Sequence, residues 1–418
     1  MITLKPFKAI RPQKELVEKV VSLPYDVMNI EEAKEMAKGN PYNFLHVTRA
    51  EIDIEELKNP YSEIVYKKSK ENLYKMVDEN ILFKDKEPRF YIYRQTMNGR
   101  AQTGIVGCAS VDDYLNGKIK KHEFTRYEKE IDRINHFDYC DANTEPIFLT
   151  YKKDEVINNI INRWTEFHLP EYMFNTKDGV KHILWCVTDN LVIEQIQLQF
   201  KKVDSLYIAD GHHRTESAVK VALKRRAQFP NYTGQEEYNY FMTVTFPHED
   251  LYIMDYNRVV KDLNGLSEMD FIEKVKENFL IEKVEGQFKP EKQHTFGMFL
   301  EGQWCKLEAK PETYINKDII SRLDVSILQK YLLHPILGID DPRSNKRIDF
   351  VGGIRGLAEL EQRTISDMKV AFSMYPTTIE ELIEIADKGE VMPPKSTWFE
   401  PKLLSGLFIH TLDTEYLL

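Results

Sequence analysis

The chain has 418 residues, 42% of them hydrophobic and 30% charged, a composition that is typical of a globular protein and argues against extensive disorder. Its 57 lysine and arginine residues stand against 67 aspartate and glutamate residues, so the formal net charge is −10. This balance disfavours nucleic acid as a partner but leaves room for a local basic pocket. The length predicts two or three domains.

The sequence shows no sign of export, membrane insertion or cystine cross-links. It contains no stretch of about 18 apolar residues and no leader-like amino terminus. The four cysteines lie far apart and form no Cys-x-x-Cys pair, which indicates neither a disulfide framework nor a structural zinc site. We therefore expect a cytoplasmic protein that does not contact a membrane.

The amino-terminal part of the chain predicts helices followed by a β-hairpin. Helical periodicity is found over residues 14–21, 31–38 and 62–81. Residues 43–49 alternate apolar and polar side chains and therefore predict a strand. Further strands are expected over residues 89–94 and 104–111, joined through Asn98-Gly99, a dipeptide typical of hairpin turns.

A charged stretch between residues 120 and 133 allows two interpretations. The run is typical of a solvated helix face whose charges pair along the helix. Alternatively, it supplies phosphate contacts and a proton carrier. In that interpretation the phosphate contacts are His122, Thr125, Arg126 and Arg133, and the general base is Glu123 or Glu128.

The densest chemical motif is the run Asp210, Gly211, His212, His213 and Arg214. An apolar strand precedes it and a helix is expected from about Glu216, with Gly211 able to adopt a positive φ angle between them. Arg214 offers a planar fork for phosphate or carboxylate oxygens, the histidines offer donors or proton carriers, and the start of a helix adds partial positive charge. The motif predicts an anion site. The simpler alternative is a surface turn in which Asp210 caps the helix.

The chain after residue 261 predicts a second α/β unit. Its expected elements are a helix from about residue 266, hairpin strands over 295–300 and 303–307, a helix over 324–333, a strand over 369–376 and a helix over 379–387. Lys395, Ser396 and Thr397 bring a cation and two hydroxyls to one loop, which suits a phosphate or carboxylate; the alternative is a rigid connector before a strand at 406–412. We expect domains over residues 1–261 and 262–418, with residues 390–418 packing back on the site.

Five segments in order along the chain resemble landmarks of the bacterial family called domain of unknown function 1015. They are residues 24–27, 43–47, 122–133, 209–214 and 392–399. The turn at Gly211 also resembles the phosphate-handling turn of the ParB-like superfamily, which includes sulfiredoxin and the free serine kinases. This resemblance implies that Gly211, His212, His213 and Arg214 contact phosphate. Histidines stand where sulfiredoxin would need its reactive cysteine, so its redox chemistry is not implied.

The motifs and the resemblance together predict a mixed α/β (α+β) fold with a ParB/sulfiredoxin-like strand–turn–helix phosphate site inside a two-domain body. We expect it to bind a nucleotide or phosphorylated metabolite and to transfer phosphate to a small hydroxyl acceptor, with ATP or ADP and Mg²⁺ as cofactors. The kinase resemblance implies a serine-like acceptor. The predicted catalytic residues are His122, Glu123 and His212, and the predicted phosphate ligands are Asp210, Gly211, His212, His213, Arg214, Thr125, Arg126, Lys395, Ser396 and Thr397.

Two other functions are compatible with the same residues. A metal-dependent phosphohydrolase would use Asp210, His212 and His213 as metal ligands. A nucleotide-sensing binding module would hold the nucleotide without turnover. The expected partner in each case is a small phosphorylated molecule, and a homodimer is compatible with the sequence.

Overall fold

The computed structural model describes residues 1–412, which divide into two units. The first unit contains Met1–Lys121, Thr125–Leu251 and the described chain from Pro401 onward. The second contains His122–Phe124 and Tyr252–Glu400. The division therefore falls before the expected boundary at residue 261, and the segment after Glu400 belongs with the first unit.

Helices occur in both units. They are α1 (Val17–Val20), α2 (Ile30–Ala37), α3 (Leu45–Thr48), α4 (Glu63–Asp78), α5 (Val111–Leu115), α6 (Tyr127–Cys140), α7 (Glu155–Phe167), α8 (Asn190–Phe200), α9 (His212–Gln228), α10 (Glu268–Asn278), α11 (Asp324–Leu328), α12 (Leu357–Ser366) and α13 (Ile379–Asp387). The predicted helix over 324–333 is confirmed, with a π-helical turn at Gln329–Leu333 continuing α11.

Strands likewise run through the whole described chain. They are β1 (Leu4–Lys5), β2 (Ile10–Pro12), β3 (Leu82–Lys84), β4 (Phe90–Met97), β5 (Arg100–Ser110), β6 (Ile119–Lys120), β7 (Ala142–Asn143), β8 (Ile147–Tyr151), β9 (Tyr172–Asn175), β10 (Lys181–Val187), β11 (Leu206–Asp210), β12 (Tyr240–Pro247), β13 (Tyr252–Met254), β14 (Tyr256–Val260), β15 (Phe279–Lys283), β16 (Thr295–Leu300), β17 (Gln303–Ala309), β18 (Ile348–Gly352), β19 (Val370–Ser373), β20 (Trp398–Glu400) and β21 (His410–Thr411).

A mixed nine-stranded sheet forms the centre of the first unit. Its order is β6-β11-β8-β12-β5-β4-β10-β9, and β1 also pairs with β5. β12 runs parallel to β8, and β6 runs parallel to β11, whereas the other pairings are antiparallel. In this order Asp210 at the end of β11 lies opposite Phe148 at the start of β8. The sheet therefore brings the predicted turn beside the residues that precede β8.

The central strands of this sheet are buried on both faces. β8 and β12 are buried along their whole length. One core joins the sheet to α7, α8 and α9, and it includes Leu149, Ile157, Ile196 and Val219. Asp154 and Asp189 cap α7 and α8 by accepting hydrogen bonds from amides of the first turn.

Residues 43–49 form a helical turn, so the predicted strand there is wrong. The side-chain Oδ1 of Asn43 accepts a hydrogen bond of 2.9 Å from the amide of Leu45, and α3 follows. Asparagine favours such local side-chain to backbone bonds over a strand ladder. Phe44 and Val47 of this turn pack with α4 in a second hydrophobic core. Because apolar side chains surround the segment, its short alternation of apolar and polar residues does not show which side faces the core.

The second unit is built on a six-stranded antiparallel sheet of order β15-β17-β16-β19-β14-β18. The predicted hairpin of β16 and β17 is confirmed, and Glu301 and Gly302 at its turn both have positive φ angles. On one face, Val259, Val351 and Ala371 form a core with Leu360 of α12. β13 and β20 form a separate two-stranded ribbon.

The remaining sequence-based predictions concern membrane-spanning helices, the strand at 406–412 and the cysteines. Within residues 1–412, no helix is both long and apolar enough to cross a membrane. The strand predicted over 406–412 is reduced to His410–Thr411, which pairs with β7. All four cysteines are free thiols, of which Cys186 is half-buried and the others are buried.

Candidate functional site

The predicted turn joins β11 to α9 in the first unit. Gly211 has φ +93° and its amide donates a 2.9 Å hydrogen bond to Oδ1 of Asp210. α9 begins directly at His212, earlier than the predicted start near Glu216, because the carbonyl of Gly211 already accepts from the amide of Thr215. The first amides of a helix have no partner inside it and carry partial positive charge. The turn therefore presents an electropositive helix end beside the end of a strand.

Arg214 lies beneath this turn rather than on the surface. The residue is 2% exposed, and its Nη1 donates a 2.6 Å hydrogen bond to the carbonyl oxygen of Pro146. A Cβ atom on Gly211 would lie 3.1 Å from Nε of Arg214, so the guanidinium packs against the glycine backbone. Nε has no hydrogen-bond partner among the described residues. Glycine is thus required at this position both by its φ angle and by the arginine under it.

Carboxylates balance the buried charge of Arg214. Nη2 lies 3.7 Å from Oδ2 of Asp210. Burial alone would lower the pKa of Arg214, but the nearby carboxylates of Asp26, Asp210 and Glu145 raise it above its usual value. The arginine is a permanent cation directly under the end of α9.

Asp210 is held by a second cation from the end of the described chain. Nζ of Lys402 lies 3.3 Å from Oδ2 of Asp210, and the lysine side chain is 9% exposed. Although burial would raise the pKa of Asp210, Lys402 and Arg214 lower it well below its usual range. The backbone of Lys402 is fixed to the sheet because its carbonyl accepts from Gln95 on β4. Asp210 is therefore ionised and oriented by two cations.

A buried carboxylate connects the amino-terminal segment to the same region. Oε1 of Glu145 accepts hydrogen bonds from the amide of Tyr25 (3.1 Å) and from Oγ of Ser405 (2.8 Å). Oε2 lies 3.7 Å from Nη1 of Arg133. Burial raises the pKa of Glu145 in spite of Arg214 and Arg133. This single side chain ties three distant segments of the chain together.

The segment held by Glu145 presents Asp26 to solvent. Arg49 donates hydrogen bonds to the carbonyls of Tyr25 (2.7 Å) and Met28 (2.9 Å), so the backbone on both sides of Asp26 is fixed. Asp26 itself is exposed and contributes to the field at Arg214. It is an accessible carboxylate on an immobilised backbone.

A cavity of about 180 Å³ adjoins this segment. Its wall carries many polar groups, among them Tyr25, Asp26, Arg49, Tyr66, Asp132 and Arg133. The guanidinium of Arg133 lies 3.9 Å from the centre of the Tyr25 ring and pairs with Asp132, which also accepts from the hydroxyl of Tyr66 at 3.0 Å. The cavity can hold a small polar molecule next to Asp26.

The histidines and the charged stretch of the first unit have local partners. Nε2 of His213 accepts a 2.9 Å hydrogen bond from the amide of Arg126, so this nitrogen carries no proton. The hydroxyl of Thr125 donates to Glu130, and Glu128 is exposed in the first turn of α6. His212 is buried in the first turn of α9. The predicted role of these side chains in phosphate binding or proton transfer stays a prediction.

Five of the predicted site residues, His122, Glu123, Lys395, Ser396 and Thr397, belong to the second unit. Nε2 of His122 lies 3.3 Å from Oγ1 of Thr397, and the carbonyl of His122 accepts from the amide of Met392. Ser396 is buried, and its hydroxyl donates to the carbonyl of Pro393 at 2.7 Å. Lys395 has a positive φ angle of +60°. The structure thus joins His122 to the loop of Lys395–Thr397, and Glu123, the next residue in the sequence, is half-buried.

Two members of the alternative metal set, Asp210 and His213, have other partners in the first unit. The Asp210 carboxylate is already occupied by two cations and the Gly211 amide, and Nε2 of His213 accepts from a backbone amide. The lone pair of Nε2 is therefore engaged, and a metal-ligand role for these residues stays a prediction. The sequence analysis assigned no role to Tyr25, Asp26, Glu145 or Lys402. Of these, Tyr25 and Asp26 lie in a segment that resembles the family, residues 24–27.

Fold and site together define a mixed α/β protein whose first unit carries a charged strand–turn–helix motif on β11, next to the edge strand β6 of its sheet. The family model described as protein of unknown function (DUF1015) matches residues 4–326. The chain belongs to this family, which confirms the predicted membership. No curated protein matches the sequence.

Several solved structures are distantly similar. A free serine kinase in complex with AMP is 14% identical with a TM-score of 0.38, and the match covers 75% of this chain and 93% of that chain. A conserved hypothetical protein from Pyrococcus furiosus is 16% identical with a TM-score of 0.36, covering 74% and 95%. SbnI with a C-terminal truncation from Staphylococcus aureus is 12% identical with a TM-score of 0.36, covering 72% and 85%. No activity of this chain follows from similarities at this level.

Proposed function

We propose that the first unit binds the phosphate groups of a nucleotide or phosphorylated metabolite at the β11–α9 turn and transfers phosphate to a small hydroxyl acceptor. The observation that carries the proposal is the position of Arg214. A buried cation lies directly under the amino end of α9, at a glycine with a positive φ angle. Buried charge and helix amides act in the same direction there, since both favour an anion above the turn.

The roles of the cations follow from their burial. Because Arg214 is covered by the turn, the helix amides make the direct phosphate contacts and Arg214 supplies positive potential from below. Asp210 keeps Arg214 and Lys402 in place, so that no reorientation is needed when charge develops on the transferred group. Phosphoryl transfer depends mainly on such positioning and charge stabilisation.

Asp26 is the residue best placed to orient an acceptor. Its carboxylate is exposed, its backbone is fixed by Glu145 and Arg49, and it borders the polar cavity. An acceptor hydroxyl held in that cavity would donate its hydrogen bond to Asp26 and lose its proton to it during transfer. A serine-like acceptor, Mg²⁺ and a role for His122, Glu123 or His212 as the base remain parts of the sequence-based prediction.

The proposal is tested by binding and turnover measured on the same proteins. ADP or ATP with Mg²⁺ at about 100 times its dissociation constant should stabilise the protein by about 2.7 kcal/mol, visible as a higher melting temperature. Turnover is followed by ³¹P NMR with serine and other small hydroxyl compounds. Asp26→Asn should keep nucleotide binding and lower turnover by about 100-fold or more. Glu31→Gln, which changes an exposed carboxylate of α2, is the matched control.

Three outcomes separate the alternatives. Transfer that depends on Asp26 supports the proposal. Nucleotide binding without transfer to any hydroxyl compound would identify a binding module. The absence of stabilisation by every nucleotide and phosphorylated metabolite would reject the phosphate site at the turn.

A further inference from the structure

Four arginines are buried in the described chain, and one of them differs from the rest. Arg11 pairs with Asp85, Arg133 with Asp132 and Arg214 with Asp210. Arg258 in β14 of the second unit is equally buried at 4% exposure, yet no carboxylate of the described residues lies within ion-pairing distance of it. A buried charge without a counter-ion is costly.

The hydrogen bonds of Arg258 do not neutralise its charge. Its guanidinium donates to the carbonyl oxygens of Tyr256 and Lys395, the latter at 2.9 Å. These are neutral acceptors and leave other N–H groups of the guanidinium available. Burial lowers the pKa of Arg258 to about 10, which still leaves it charged at neutral pH. The Arg258 guanidinium therefore lacks an anionic partner among the described residues.

A second cation lies in the same place. Lys395 has a positive φ angle, and the bond from Arg258 to its carbonyl holds the loop in that conformation. Its Nζ lies 5.5 Å from the centre of the Tyr256 ring, and Tyr256 precedes Arg258 by two residues on the same face of β14. Both positive groups therefore belong to one patch of the second unit.

Aromatic rings form the wall of this patch. The Trp398 indole packs directly on Gly352, where a Cβ atom would lie 2.5 Å from the ring, and its centroid is 5.0 Å from that of Tyr256. Phe350, opposite Arg258 on β18, lies 5.4 Å from the guanidinium. Trp398 and Phe350 are only half-buried, so a ligand can reach the rings.

We propose that the second unit carries an anion-binding site in which Arg258 and Lys395 hold a phosphate or carboxylate group of a small molecule against Trp398. An anionic group supplies the counter-charge that Arg258 lacks, and the guanidinium fork donates to two of its oxygens. The proposal does not rest on the function proposed for the β11–α9 turn, because every contact that supports it lies within the second unit.

The test uses ¹⁹F NMR of protein labelled with fluorotryptophan. The chain has four tryptophans, and Trp398→Phe assigns the relevant resonance. Titration with inorganic phosphate, and separately with malonate, at constant ionic strength should shift the Trp398 resonance saturably, with the Trp164 and Trp185 resonances as references from the first unit. A response to phosphate only identifies a phosphate site, and a response to malonate identifies a site for carboxylates as well.

Variants decide whether Arg258 is responsible. Arg258→Met should weaken the affinity by about tenfold or more, since a hydrogen-bonded charge is lost. Lys395→Met should weaken it less and serves as the second test if Arg258→Met does not fold. Arg322→Met, at an exposed arginine of the same unit, should leave the Trp398 response unchanged. A Trp398 resonance that does not move, or that moves in Arg258→Met and Lys395→Met as it does in the wild type, would overturn the proposal.

Discussion

Nζ of Lys402 lies 3.3 Å from Oδ2 of Asp210, although 192 positions separate the two residues. The contact joins the end of the described chain to the turn that opens α9. It gives Asp210 a second cation in addition to Arg214. The carboxylate is consequently held by two positive charges, and each of them can be removed separately.

Lys402→Met should destabilise the first unit by about 1–3 kcal/mol, because a largely buried charged hydrogen bond is lost. Urea unfolding followed by tryptophan fluorescence measures this. Lys388→Met, which removes an exposed lysine paired with Glu384, should change stability by about 0.5 kcal/mol or less. In Asp210→Asn the further effect of Lys402→Met should shrink, since the charge partner is gone. Additive effects of the two substitutions would show that the contact contributes nothing.

Gly211→Ala should lose both stability and ligand binding. The positive φ angle alone costs about 1–2 kcal/mol, and the new methyl group would press on the Arg214 guanidinium. Gly179→Ala is the matched control, because Gly179 has a φ angle of +83° and nothing within 4 Å of its added Cβ atom. Both variants should show the backbone cost in thermal melts, but only Gly211→Ala should lose stabilisation by ADP. Equal responses to ADP would contradict a phosphate site at the turn.

Glu145→Gln should separate positioning from binding. The amide keeps an acceptor for Tyr25 and Ser405 but removes the negative charge that faces Arg133. We expect a loss of about 3 kcal/mol, as for other buried pairs that lose one partner. Transfer activity should fall because the segment carrying Asp26 loosens. Ser405→Ala removes one of the same hydrogen bonds without changing charge, and a larger effect from it than from Glu145→Gln would reject this explanation.

His136 should make the protein less stable at acid pH. It is 1% exposed, its Nε2 donates to the carbonyl of Val47, and burial, together with the nearby Arg133, lowers its pKa to about 3. Since its pKa in the unfolded chain is near 6.5, the stabilisation is complete above that value and decreases as the pH falls towards 3. The loss should reach about 2 kcal/mol between pH about 7.5 and about 5.

The measurement for His136 is the urea midpoint at these two pH values. His136→Gln should reduce the difference between them, whereas His334→Gln, at an exposed histidine of the second unit, should leave it unchanged. His182, whose pKa burial lowers to about 4, contributes in the same direction in the wild-type protein. An unchanged difference in His136→Gln would show that His136 titrates normally in the folded state.

Local sequence patterns correctly predicted elements that are determined by residues close together in the chain. Asn98-Gly99 predicted the hairpin of β4 and β5. The Asp210–Gly211 turn was recognised because an apolar strand, a positive-φ residue and a helix follow one another directly. Residues 43–49 were predicted wrongly because a single helical turn and a short strand leave similar patterns.

The sequence by itself therefore determined the strand–turn–helix motif, since its backbone geometry depends on Gly211 and its immediate neighbours. Only the tertiary structure decided what surrounds that motif. It buried Arg214 under the turn instead of exposing it to a ligand, brought Lys402 to Asp210 and used Glu145 to fix Tyr25. These contacts join residues far apart in the chain. Charge pairing and burial at such separations depend on how the whole sheet is assembled, which no local pattern encodes.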